Sequence, residues 1–69
     1  MNAKKYEVRW TRPYQGYGEN TTASADYDRL RDARRKAADI AAEAETWQSG
    51  GHPRIYRDKR RIDRSGRII

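Results

Sequence analysis

Between Lys5 and Arg12 the chain alternates strictly, with Tyr6, Val8 and Trp10 on one side and Lys5, Glu7, Arg9 and Thr11 on the other. A period of two is that of a strand with one buried and one solvated face. Pro13, which has no N–H to give to a ladder, ends it, and the turn-forming run Pro13 to Gly18 predicts a chain reversal. Glu19 to Ser24 returns as a short second strand, on the strength of β-branched Thr21 and Thr22, or as a loop; both readings stay open. From about Ala25 to Gln48 the spacing becomes that of a helix, with Tyr27, Leu30, Ala33, Ala37, Ile40, Ala41, Ala44 and Trp47 three or four apart. Ser24 or Asp26 is placed to cap the N-terminus, Asp26 and Asp28 suit the positive end of the dipole, and Ser49-Gly50-Gly51 supplies a stop.

Beyond His52-Pro53 the run Arg54 to Asp58 reads as a strand, and Arg61 to Ile69 as a terminal hairpin around Arg64-Ser65-Gly66. One long strand from Arg54 to Asp63 is the alternative. The predicted fold class is α+β, β-(β)-α-β-β: one long helix packed on one face of a small, mostly antiparallel sheet. With 69 residues, no internal repeat and no linker-like tract, a single domain over 1–69 is expected.

Composition narrows the choice of core. The hydrophobic fraction is 35%, with no Phe, one Leu (Leu30) and one Val (Val8), so the aromatics are expected to carry much of the burial, Trp10 and Trp47 facing inward. A chain this short buries only about 60% of the surface its unfolded form exposes. A lean, alanine-rich helix stripe and the apolar end Ile68-Ile69 therefore suggest added support from a homodimer, by sheet-edge or helix pairing.

Several chemistries lack their parts. There is no cysteine, so no thiol catalysis or Cys-rich metal site, and with His52 the one imidazole no metal or other cofactor is expected. His52, in a Gly-Gly-His-Pro loop without nucleophile motifs, reads as an exposed loop residue, and no catalytic residue is assigned. Gly16-Tyr17-Gly18 lacks the glycine spacing and lysine of a phosphate loop and reads as a turn. Asp32 and Lys36, and Arg35 and Asp39, stand four apart on the polar helix face, the spacing that supports ion pairs. No stretch approaches the roughly 20 apolar residues of a membrane span, and Met1 to Lys5 leads into no apolar signal core, so a cytoplasmic protein away from membranes is expected.

The Tyr-x-Val-x-Trp strand, the run Asp32 to Ala37 and the ending Ile62 to Ile69 together resemble the small uncharacterised strand–helix–strand proteins of actinobacterial phages and their hosts. The opening strand, turn and helix are also similar to the arm-binding N-terminal domains of phage integrases, which dock a small sheet in a DNA groove. In this chain Gly-rich and Thr-rich sequence stands where those domains have a tight hairpin. Neither resemblance carries a catalytic residue across.

The strongest remaining signal is charge. A net charge of +6 and a pI near 10.1 make long-range attraction to polyanions unavoidable. Arg54, Arg57, Lys59, Arg60, Arg61, Arg64 and Arg67 form a basic stretch with Tyr56 inside it, and Arg9 and Arg12 extend it if the first strand lies alongside. Tyr14 and Tyr17, on the Gly-rich turn, are placed to stack on bases or to anchor a protein. These twelve residues are the candidate site. The leading expectation is a non-enzymatic nucleic-acid-binding protein. The alternatives are a module that binds an acidic protein surface, such as a phage-encoded modulator of a host protein, and a self-assembling structural subunit.

Overall fold

The computed structural model describes residues 4–13, 21–47 and 49–69. Tyr6–Thr11 forms β1, Thr22–Tyr27 β2, Leu30–Ala44 α1, Gly51–Arg57 β3 and Arg60–Ile62 β4. The strands make one antiparallel sheet in the order β2-β1-β3-β4, with α1 on one face, the α+β arrangement that the alternating and helical periods predict. β2 and β3 both run opposite to β1 and so parallel to each other. Parallel strands need a crossover, and α1 provides it.

The core forms where the helix meets the middle of the sheet. Val8, fully buried at the centre of β1, stands opposite Ala25 on one side and Ile55 on the other, and Ile55 stands opposite Ile62. Ala33 and Ala37 press the helix onto this row, and Tyr6, Trp10, Tyr27 and Leu30 pack around it. The helix lies mostly over β3, less over β1 and only slightly over β2. Trp10 is therefore only partly covered, and the Lys36 ammonium sits 5.1 Å from the centroid of its ring.

The helix is shorter than its periodicity predicts. Ala25, Asp26 and Tyr27 belong to β2, where Ala23, Ala25 and Tyr27 face Trp10, Val8 and Tyr6 on the helix side while Thr22, Ser24 and Asp26 face away. Two alanines and a serine give a faint period-two signal, which the pairing with β1 decides. Neither Ser24 nor Asp26 caps the helix. The N-cap is Arg29, extended and without a side-chain cap bond, and Asp32 is the acid in the first turn. At the other end the Thr46 amide and hydroxyl both donate to the Glu43 carbonyl (3.0 and 2.7 Å), and the Trp47 amide donates to Ala44 (3.1 Å). These tightened bonds satisfy the last carbonyls and end the helix before the glycines. Trp47 thus lies beyond the helix, half-buried and outside the core cluster, where the sequence places it inward.

Gly50 and Gly51 serve the entry to β3. Both have positive φ (87° and 96°). A Cβ on Gly50 would lie 2.6 Å from the Arg12 carbonyl oxygen, and one on Gly51 would lie 2.7 Å from the Ala44 methyl, so the chain here passes too close to β1 and to α1 for any side chain.

The C-terminal third turns twice. Asp58 and Lys59 have φ of 51° and 69° and join β3 to β4 by a two-residue hairpin, with Arg57 opposite Arg60, which excludes one long strand from Arg54 to Asp63. The expected reversal at Arg64-Ser65-Gly66 is present in reduced form, as a single bridge between Ile62 and Ile68. The Pro13–Gly18 reversal falls partly outside the described residues, although the antiparallel pairing of β1 with β2 requires the chain to turn back between them. No helix among the described residues is long and apolar enough to cross a membrane.

These burials set an order of stability. Ile55→Ala is expected to lose about 2–5 kcal/mol, as large-to-small changes at buried aliphatic sites do, and Trp47→Ala distinctly less. Urea denaturation of both variants checks this, and equal losses would place Trp47 in the core after all.

Candidate functional site

One helix covers one face of the sheet, and among the described residues no element covers the other. Alternation along each strand sends Glu7, Arg9 and Thr11 of β1, Thr22, Ser24 and Asp26 of β2, Arg54 and Tyr56 of β3 and Arg61 of β4 to that face. The pairing registers align like charges. Arg9 stands opposite Arg54, and one row away Glu7 stands opposite Asp26. The open face thus has a basic half around Arg9 and Arg54, bordered by Thr11 opposite Thr22, and a mixed half in which the Asp26–Glu7 row runs on through Tyr56 to Arg61. Like charges directly opposite one another destabilise a sheet, by up to about 1 kcal/mol per pair.

An irregularity in β3 completes the basic half. From Arg9 to Thr11 β1 advances two residues, while β3 goes from Arg54 back to Gly51, leaving one extra residue on β3 in the His52-Pro53 segment. Pro53 is accommodated there because a bulge frees a residue from the ladder. His52, with φ of 53°, is exposed and borders a shallow hollow of ≈ 310 Å³ shared with Arg9, Arg54, Thr11, Thr22 and Tyr56. Two guanidinium groups, two hydroxyls and an imidazole around one hollow form a donor set suited to an anion with several oxygens, such as phosphate.

Arg9 is held from two sides. Its Nε donates to Glu7 Oε1 at 2.8 Å, and its Cζ lies 4.5 Å from the centroid of the Tyr56 ring. The Arg9 and Glu7 side chains are 45% and 29% exposed, so this pair orients more than it stabilises. One face of the Tyr56 ring is thus occupied by a guanidinium.

The other candidates divide between surfaces. Arg54, Arg61 and Tyr56 join Arg9 on the open face, Arg61 directly opposite Tyr56. Arg57 and Arg60 pair on the helix side, since Arg57 also stands opposite Tyr6, and Lys59 is at the hairpin tip. Arg12 is exposed just past β1, its amide donating to the Thr21 carbonyl at 2.7 Å. Arg64 lies beside the helix, around one hollow with Arg31, Arg34 and Arg35. Arg67 is exposed at the end of the last turn. Tyr14 and Tyr17 lie outside the described residues. The basic stretch that looks continuous in sequence is therefore split between two layers.

In comparisons with known proteins no family model matches this chain, and no curated protein or solved structure matches it significantly. The reading of the site rests on its own geometry.

Sequence reasoning missed His52, Thr11 and Thr22, because only the register brings them beside Arg9 and Arg54. It read Arg35 as one of the charges on a polar helix face whose spacing supports ion pairs. Among the described residues the one ion pair within 4 Å is Arg9–Glu7, so the Asp32–Lys36 and Arg35–Asp39 pairs expected from spacing are not formed. Lys36 is turned to Trp10 instead.

Arg64 and Arg67 are placed by Asp63. Its Oδ1 accepts from the Ser65 hydroxyl (2.6 Å), the Ser65 amide (2.9 Å) and the Arg67 amide (3.0 Å). The Ser65 hydroxyl first, then the Arg67 amide, hold the carboxyl below its ordinary value. A carboxyl group whose pKa is lowered by folding adds stability that is present above its unfolded pKa and lost as pH falls through the folded one. The Asp63 carboxyl carbon is expected to titrate below the usual aspartate range by NMR, and Ser65→Ala to move it up; an unmoved midpoint would remove the hydroxyl as cause. The like-charge row gives a second expectation. Arg54→Glu sets a carboxylate opposite Arg9 and should raise unfolding free energy by about 0.2–1 kcal/mol, measured by urea denaturation, whereas a lowered value would show that Arg54 has a structural role.

Proposed function

We propose that this is a non-enzymatic nucleic-acid-binding protein that holds phosphates on the basic half of its open sheet face. The observation that carries the reading is the pairing of Arg9 with Arg54 across the two central strands, beside Thr11, Thr22 and His52, on the face that no other described element covers. An arrangement that opposes cation to cation weakens the sheet and concentrates charge for an anionic ligand. Arginine suits phosphate because its planar fork donates two parallel bonds to adjacent oxygens. Arg61, one row on from Arg54 on the neighbouring strand, extends the path across the sheet.

Tyr56 favours phosphate over an acidic protein surface as the partner. A protein interface draws its binding energy from aromatic anchors, and one face of this ring is taken by Arg9. Contacts to phosphate need no free ring and read no sequence.

Fluorescence anisotropy on DNA and RNA at several salt concentrations tests this. Each phosphate contact adds a slope of about −0.9 in log affinity against log salt on duplex DNA and about −0.7 on single strands. Arg9→Gln with Arg54→Gln should therefore flatten the slope by about 1.8 on duplex DNA, with circular dichroism unchanged. A dissociation constant weaker than about 10⁻⁴ M for every nucleic acid near 0.15 M salt would overturn the function. Unchanged affinity in the double variant would overturn the site.

A further inference from the structure

A second positive cluster lies on the other layer of the molecule. Arg31, Arg34, Arg35 and Arg64 surround a surface hollow of ≈ 430 Å³ that also touches Ala38. The three helix arginines and Ala38 sit at i, i+3, i+4 and i+7, one stripe of α1, and the small alanine leaves the hollow open between the longer side chains. The fourth arginine arrives from a distant segment, on the turn that Asp63 fixes after β4.

No described residue forms an ion pair with this group: among the described residues none of the four has a carboxylate within 4 Å. Asp32 and Asp39 lie toward the β2 side, around a separate hollow with Tyr27, Lys36 and Arg35, the one arginine that borders both. Like charges at i,i+4 and i,i+3 destabilise a helix, and Arg64 adds a further cation. Two separate places in this small fold thus gather arginines at the expense of stability, one on the open sheet face and one on the outer flank of the helix.

We propose that the helix-flank cluster is a second phosphate-binding surface, so that one molecule holds two nucleic-acid segments, one on each layer. The inference rests on the proposed role of the sheet face for the first segment. The two surfaces look away from each other because the helix and sheet layers pack through their inner sides. A single duplex lying across Arg9 and Arg54 therefore leaves Arg31, Arg34 and Arg64 free to meet the backbone of another. As on the sheet face, the recognition is of phosphate oxygens by guanidinium groups, so the second segment needs no particular sequence.

The test is a bridging assay near 0.15 M salt: one DNA duplex is immobilised on beads, a second, fluorescent duplex is in solution, and the full chain is added. Wild-type protein should retain the fluorescent duplex on the beads. Arg31→Gln, Arg34→Gln and Arg64→Gln together should bind a single duplex in anisotropy nearly as wild type does. They should weaken capture of the second duplex by about a hundredfold, as expected from three lost phosphate contacts at that salt. Circular dichroism confirms that the variant, altered only at exposed positions, remains folded. Wild-type protein that binds one duplex but captures no second overturns the inference and leaves the proposed function standing. A triple variant that bridges like wild type also overturns it, since bridging then runs through association of two copies. If the triple variant loses single-duplex binding while Arg9→Gln with Arg54→Gln keeps it, the helix flank is the one binding surface, and both the two-surface inference and the sheet-face site fall.

Discussion

The seat of α1 on the sheet, made by Ala33 and Ala37 against Val8, Ile55 and Ile62, is the contact on which the other features of this molecule depend. Neither alanine buries much area, but their small size lets the helix come down close to the central strands. At its C-terminal end the approach is so close that Ala44 leaves no room for a methyl group on Gly51. Val8 and three isoleucines supply nearly all the large, fully enclosed side chains, and the aromatics act as a partly exposed collar around them. A core this small has little stability to spare. Arrangements that weaken it, such as Arg9 opposite Arg54, therefore call for an explanation beyond solubility.

The same contact divides the surface. A single helix can cover only one face of four strands, so the alternation of β1 and β3 sends half their side chains to a plane that no other described element covers. A plane built for solubility alone would alternate its charges across strands, as favourable cross-strand pairs do. Here cation faces cation and carboxylate faces carboxylate, and the one ion pair among the described residues runs along β1, from Arg9 back to Glu7. That pair, with the Tyr56 ring, fixes the direction of Arg9 and leaves Arg54 beside it with no ion pair among the described residues. On the helix layer the charges are also sorted, arginines on the side of Arg64 and carboxylates toward β2. Sorting of this kind on both layers is the physical basis for reading the protein as one that meets polyanions.

The chain by itself determined the elements whose signal is local. Tyr6, Val8 and Trp10 fixed β1 and its buried face, because a period of two over six residues has no helical counterpart. The alanine and isoleucine stripe fixed the middle of α1, and the positive balance fixed the kind of field around the molecule. Tertiary structure decided what depends on partners distant in sequence. Ala25 to Tyr27 became a strand because β1 was there to pair with it, and the helix lost its predicted first turns accordingly. Trp47 left the core because Thr46 closed the helix end early. The twelve candidate residues, ten of them described, were legible as a basic set, but their division was not: parity and register put Arg9, Arg54 and Arg61 on one layer, while the Asp63 turn carried Arg64 to the helix. His52, Thr11 and Thr22 joined the first group only through a one-residue bulge in β3, and Arg31, Arg34 and Arg35 gained their meaning only when Arg64 arrived. Sequence fixes charge and period, which belong to each residue and its near neighbours, whereas adjacency across strands and layers is set by folding alone.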